Sequence, residues 1–345
     1  MKKIVFLLLI LAIIFIVFFF IKDSKKESIL SLKLNGKKII TININEKFLD
    51  PGFKAFDTID GDITNKVKIT SNINTSKEGT YQITYKVKNS KGISKEAYRF
   101  VKVKSLPYYK EEYNNLDNTT RSWWATNKKN KTRPTGGADI NELKKYNAYY
   151  LGPDEKIIYL TFDEGALETY IKEIVEVLDK NNVKATFFLC YKYMIENKEL
   201  IKNMVSSGHT IGNHTVNHLN MPSLATKEKF NEYLYEIQKV EQGYKEITGK
   251  NMEKIYRSPR GEWSIRDLQI MKDLGYKTYF YSAYYLDFEN DVSKEYALNE
   301  LLIRYHNGAI YLLHPKNKGN LEALDSFIKI MKNNGYKFDL VKNIP

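Results

Sequence analysis

The chain has 345 residues, too many for one small domain and enough for two or three folded units. With 43% apolar residues and a net charge of +13 it can build real cores, which excludes global disorder, and its basic balance favours anionic partners such as walls or membrane surfaces. There is no nucleic-acid module and no Arg-rich segment, and the single cysteine, Cys190, excludes an intrachain disulfide and any cysteine-based zinc site.

The first predicted element is a membrane anchor within residues 1–28. After Lys2 and Lys3, every residue from Ile4 to Ile21 is apolar. Such a run spans about 27 Å as a helix, close to the hydrocarbon thickness of a bilayer. No small-residue cleavage site follows, so an uncleaved signal anchor is expected. Lysines on both flanks leave its orientation weakly set by charge.

Residues 29–104 read as a small all-β sandwich of the immunoglobulin-like kind. Leu32 and Leu34, then Ile40, Ile42 and Ile44, then Tyr81, Ile83, Tyr85 and Val87 alternate with polar partners. Turn signals at Asn35-Gly36, Asp50-Pro51-Gly52, Asp60-Gly61-Asp62, Glu78-Gly79 and Lys91-Gly92 divide them. The stretch from Asp50 to Val67 resembles bacterial immunoglobulin-like modules of surface proteins. Asp60 and Asp62 are read as turn formers in preference to calcium ligands.

Residues 105–150 lose periodicity and form a linker or wrapping arm. Trp123 and Trp124 are unusual in a solvated linker, so the arm is expected to dock on the next domain.

From 151 to 345, strands and helices alternate. The strands are Ile157–Phe162, Ala185–Leu189, Thr210–Ile211, Ile255–Tyr256, Thr278–Tyr281 and Ala309–Leu313. Between them run apolar stripes at helical spacing, such as Ile171, Ile174, Val175 and Leu178. Repeated β-α units imply a parallel sheet, and pattern alone leaves open whether it closes.

Ionisable groups follow these strands in register: Asp163 and Glu164, His214 and His218, Arg257, Asp287 and His314. Core packing would not put them there, whereas an α/β barrel gathers such groups at its active face. The spacing His214-Thr-Val-Asn-His218 predicts two imidazoles on one face of a helical turn. With one carboxylate they would leave a tetrahedral zinc an open position. Asp163 and Glu164, adjacent on the chain, can divide ligation and base duty.

Five motifs in order, Thr161-Phe-Asp-Glu-Gly165, His214-Thr-Val-Asn-His218, Arg257-Ser-Pro-Arg-Gly261, Ser282-Ala-Tyr-Tyr-Leu-Asp-Phe288 and Leu312-Leu-His314, resemble the polysaccharide deacetylase family, carbohydrate esterase family four. The Asp-Glu pair, the Pro259–Ser264 segment and Tyr149-Tyr150-Leu151-Gly152 resemble its muramic-acid branch. The resemblance implies a distorted (β/α) barrel and metal-dependent removal of N-acetyl groups from peptidoglycan, N-acetylmuramic acid before N-acetylglucosamine. The third reading is a degenerate sugar-binding wall protein. The family resemblance implies a divalent metal, zinc by default, on Glu164, His214 and His218. Asp163 is implied as base, His314 as acid and Arg257 as the orienter of Asp163. Arg260, Asp287, Leu312 and Trp263 are expected on the substrate side, although packing is nearly as good a reading of Trp263. His209 and His306 are read as structural. The expected partners are peptidoglycan strands and, through the anchor, the cell membrane, with the catalytic domain outside. Three positions depart from the usual pattern: Glu164 where a second Asp is common, Tyr284 where an Asp tunes the catalytic His, and Ser258 where Pro is common.

Overall fold

The computed structural model describes residues 27–105, 107–126, 130–165, 169–288 and 292–345. The expected anchor, Ile4–Ile21, lies outside the described residues. Among those described, no helix is long and apolar enough to cross a membrane. The chain separates into two compact units with the break between Leu106 and Pro107.

In the first unit, apolar–polar alternation produces β1 (Leu30–Leu34), β2 (Ile39–Asn43), β3 (Phe53–Asp57), β4 (Gly61–Asp62), β5 (Lys68–Ser71), β6 (Gly79–Lys88) and β7 (Ser94–Lys104). They pair as two sheets, β1-β3-β4 and β2-β7-β6-β5. Every second residue of β6 and β7 points inward, so Ile83, Tyr85, Val87, Val101 and Val103 share one core with Leu30 and Leu32. Arg99 is fully buried in this unit, and its guanidinium satisfies the carbonyls of Asn35, Lys37 and Gly52. Asp60 accepts from the Ser90 N–H and Asp62 from the Thr64 N–H, which are turn and loop roles.

The expected linker belongs, from Pro107 onward, to the second unit. Its regular pieces are β8 (Arg121–Ser122), α1 (Ile140–Lys145) and β9 (Ala148–Tyr149). Trp123 stacks on Phe280 with ring centroids 4.3 Å apart, and its Nε1 donates to the Tyr281 carbonyl. A Cβ at Gly136 would fall 2.5 Å from the Trp123 ring, so only glycine lets the arm close over that indole. The arm therefore packs on the second unit and is part of it.

The remaining strands are β10 (Ile157–Glu164), β11 (Thr186–Leu189), β12 (Thr210–Asn213), β13 (Ile255–Tyr256), β14 (Glu262–Trp263), β15 (Lys277–Tyr279), β16 (Ala309–Leu313) and β17 (Lys337–Phe338). The helices are α2 (Ile171–Lys180), α3 (Tyr191–Glu196), α4 (Lys198–Ser206), α5 (Met221–Leu224), α6 (Phe230–Thr248), α7 (Ile265–Asp273), α8 (Lys294–Arg304) and α9 (Lys318–Asn333). The sheet runs β16-β10-β11-β12-β13-β15-β9, with β17 beside β10, and its pairings are parallel. It also curls on itself. Bridges Ala283–Tyr311 and Leu151–Ala309 bring the two margins together. The fold is thus the distorted barrel, with β14 pairing β8 of the arm outside it.

Candidate active site

A cavity of about 500 Å³ opens at the carboxyl ends of the strands and is lined by Asp163, Glu164, His214, His218 and His314. A second lobe of about 340 Å³ shares four of these and adds Arg257, Arg260, Leu312 and Phe288. All five motifs converge here. Because β10 runs through Glu164, the two acids end the strand and do not begin a turn.

Arg257 follows β13 and is almost completely buried. Its Nη1 donates to Asp163 Oδ1 and to Thr161 Oγ1, each at 2.7 Å, while Nε and Nη2 donate to the carbonyls of Tyr279 and Phe280. Four fixed acceptors hold the guanidinium plane, and that plane fixes the Asp163 carboxylate.

The His pair meets, but not on a helix. Residues 214–218 form a loop after β12 in which Thr215 and His218 adopt left-handed backbone angles, φ 69° and 57°. The helical turn predicted from their spacing is absent because other groups claim the backbone. Asn213 Oδ1 accepts from the Thr215 N–H, and Thr215 Oγ1 from the His218 N–H. Glu236 of α6 accepts from the N–H groups of Val216 and Asn217 and from the Asn217 amide. Its role was missed, although the sequence holds a signal: an acid on the apolar stripe of α6, three residues after Tyr233 and four before Val240.

The loop brings the His214 and His218 rings to 4.9 Å between centroids. His214 Nδ1 lies 2.9 Å from the Arg257 carbonyl, which can only accept, so the proton sits on Nδ1 and Nε2 keeps its lone pair. Burial lowers the pKa of both rings, and for His218 the neighbouring His214 adds to it, down to about 4. Both are therefore neutral near pH 7. Among the described residues, no three His, Cys, Asp or Glu side chains gather as a ready cluster for an ion. The expected set of Glu164 with two imidazoles is thus not assembled as one group. Asp163 Oδ2 lies 3.9 Å from His214 Nε2, and Glu164 lines the same cavity. Two neutral imidazoles and a carboxylate are nonetheless the donor set that suits a zinc-like cation.

His314 ends β16. Its Nδ1 lies 2.7 Å from Asp287 Oδ1, and its backbone N–H donates to Asp287 Oδ2 at the same distance. Burial pulls the His314 pKa down, but the bond to Asp287, that carboxylate's charge and the charges of Asp163 and Glu164 outweigh it and raise it above 6.5. Asp287, expected to touch substrate, is fully buried and faces the imidazole. It stands three residues beyond the substituted position 284 and meets the imidazole directly. Tyr284 packs edge-on to Tyr281, and its hydroxyl donates to the Ala125 carbonyl of the arm.

Trp263 is also misplaced by the sequence reading: it is 1% exposed, lies against Trp123 and Phe280, and supports the cavity wall from behind. Arg260 and Leu312 do line the cavity. Arg260 sits in a left-handed turn with φ 55° and pairs with Glu262 at 3.5 Å. His209 bridges the Ala185 N–H and Asp179, and His306 Nδ1 donates to the Asn307 carbonyl, so both are structural.

Residues 151–279 match the family described as polysaccharide deacetylase, and residues 32–103 match the Ig-like domain of bacterial surface proteins. The peptidoglycan-N-acetylmuramic acid deacetylase PdaA of Bacillus subtilis is 38% identical over 233 residues, which cover 66% of this chain and 87% of that protein. A peptidoglycan-N-acetylglucosamine deacetylase of Bacillus cereus is 28% identical over 58% of this chain and 92% of its own length. The solved structure of Bacillus subtilis PdaA, a family 4 carbohydrate esterase, superposes with a TM-score of 0.62 at 36% identity, covering 66% of this chain and 98% of that one.

Proposed function

The chain belongs to the polysaccharide deacetylase family and is a hydrolase of amide bonds, and from that premise we propose that it removes N-acetyl groups from peptidoglycan, with N-acetylmuramic acid as its preferred residue. The observation that carries this reading is that Asp163 and His314 face one cavity, each oriented by its own buried partner. Asp163, with Oδ1 held by Arg257, takes the proton of the attacking water. His314, with Nδ1 committed to Asp287, delivers its Nε2 proton to the departing amine, which is too basic to leave as an anion. The C–N bond breaks, and acetate and the free amine are the products. Leu312 walls the lobe in which the acetyl methyl sits. His214 and His218, with Glu164, are the groups that would hold a divalent cation, zinc by donor type. When bound, such an ion polarises the carbonyl and lowers the pKa of water.

Two features support muramic acid over glucosamine. Arg260 lines one lobe of the cavity and Lys192 and Lys316 line the other, so an anionic sugar meets cations in both. Muramic acid carries a lactyl carboxylate beside its acetamide, and glucosamine has no such group to pair. The muramic-acid relative is also the more similar of the two. Ile4–Ile21 would tether the protein to the membrane with the catalytic unit facing the wall, and the Ig-like unit would extend its reach. The test is to incubate the purified protein with peptide-free and peptide-bearing glycan strands and to locate each lost acetyl group by fragmentation. Loss from glucosamine alone would overturn the substrate while leaving the reaction class in place.

A further inference from the structure

We propose that Asn320, in the first turn of α9, is a positioning residue that sets the geometry of the Asp287–His314 pair and so makes His314 an effective acid. The inference rests on the reading of His314 as proton donor. Asn320 is 3% exposed and touches both members of the pair. Its Nδ2 donates to Asp287 Oδ2 at 2.6 Å and to the His314 carbonyl at 3.2 Å. The orientation of that amide is itself imposed, because the Tyr285 hydroxyl donates to Asn320 Oδ1 and leaves Nδ2 to face Asp287.

The consequence for Asp287 is geometric. Its Oδ2 accepts two N–H groups, from the His314 backbone and from Asn320, at 2.7 and 2.6 Å. Its backbone carbonyl accepts from Asn317 Nδ2 at 3.1 Å. With Oδ2 doubly held, the carboxylate cannot rotate, and Oδ1 is left pointing at His314 Nδ1. Without Asn320, Oδ2 keeps one bond, to a backbone group of the very residue it must orient. The carboxylate can then turn about its Cβ–Cγ bond, and the imidazole loses both its fixed plane and its partner. The other ionisable groups that line the cavity with His314 are Asp163 and Glu164 from β10, His214 and His218 from the loop after β12, Arg257 and Arg260 after β13, and Lys192 and Lys316. None of them touches Nδ1, so none replaces Asp287.

The experiment compares wild type, Asn320→Ala, Asn320→Asp, Tyr285→Phe and His314→Ala on an N-acetylated glycan and on an activated aryl acetate, whose leaving group needs no proton. A general acid is worth about 10²–10⁴-fold, so Asn320→Ala should lower kcat on the amide by roughly 10- to 100-fold, with KM within about twofold. The alkaline limb of its pH profile should move down, and the ester should be largely spared. Asn320→Asp keeps the shape but offers Oδ2 a donor only when protonated, so its amide activity should recover as the pH falls. Tyr285→Phe frees the amide to flip and should show the same pattern more weakly, in a protein whose melting is close to wild type. If Asn320→Ala and Tyr285→Phe lose ester and amide activity equally, with an unmoved pH profile, Asn320 is merely structural and the proposal falls. If His314→Ala itself spares neither substrate, it is the acid assignment that has failed.

Discussion

Replacing Glu236 tests how the His pair is built. The side chain is 1% exposed on α6, and its carboxylate takes Val216 N–H at 3.0 Å, Asn217 N–H at 2.8 Å and Asn217 Nδ2 at 2.6 Å. Bonds to a charged acceptor contribute about 1.5–3 kcal/mol each, so three of them bound the loss in Glu236→Ala at roughly 4–9 kcal/mol. Val216 and Asn217 border the open cavity, and water entering from it should offset part of this, leaving about 3 kcal/mol. Glu236→Gln keeps the shape: its carbonyl can take the two backbone N–H groups while Asn217 turns its amide to present Oδ1. It should therefore lose about 1 kcal/mol or less. A second effect should fall on metal affinity. Thr215 and His218 hold left-handed angles only while the loop is clamped, and an outer-shell loss of this kind typically lowers affinity by about 10- to 100-fold. Denaturant titration reads the first quantity, and zinc titration against a competing chelator reads the second. Zinc bound by Glu236→Ala within twofold of wild type, or equal damage from Gln and Ala, would refute the clamp.

Other outcomes follow from the same geometry. Turnover should be bell-shaped in pH, with the alkaline limb above 6.5, if His314 acts protonated, since its pKa is raised; Asp287→Asn removes the bond and the charge that do most to offset burial, so the limb should drop, as kcat profiles will register. Asp267 in α7 is fully buried and accepts from the Tyr233 hydroxyl, and burial raises its pKa from 3.8 to about 7. The stability linked to its proton is fully present below about pH 4 and lost as pH rises through 7, by at most roughly 4 kcal/mol. Asp267→Asn should therefore melt above wild type at pH 8 and level with it at pH 4, and equal differences at both would contradict the linkage. Trp123→Ala should cost about 3–5 kcal/mol in thermal or chemical unfolding, since the indole is buried against Phe280, and a wild-type melting curve would show that the arm is not part of the core.

The fold was legible because burial writes itself into periodicity. Each barrel strand and each apolar helical stripe is a run that water would punish if exposed, and β10, β11, β13 and β16 lie within two residues of where alternation and composition put them. The polar roles were less legible, since spacing does not say who claims a backbone N–H. His214-Thr-Val-Asn-His218 has helical spacing, yet Asn213, Thr215 and Glu236 capture the N–H groups a helix would use. Trp263 has the aromatic character of a sugar platform, yet the arm closes over its neighbour and it becomes core.

Position 284 shows how a missing motif residue can mislead. An acid absent there suggests a weakened catalytic histidine, and hence a protein that binds sugar without turning it over. Orientation of an imidazole, however, depends on where a carboxylate ends in space and not on its place in a motif. Asp287, three residues on, reaches Nδ1 at 2.7 Å, and His314 is left with the raised pKa an acid requires. Position 284 has a different contact, the Tyr284 hydroxyl donating to the Ala125 carbonyl of the arm. It follows that restoring an acid by Tyr284→Asp should add nothing to the acid catalyst and should loosen the arm instead.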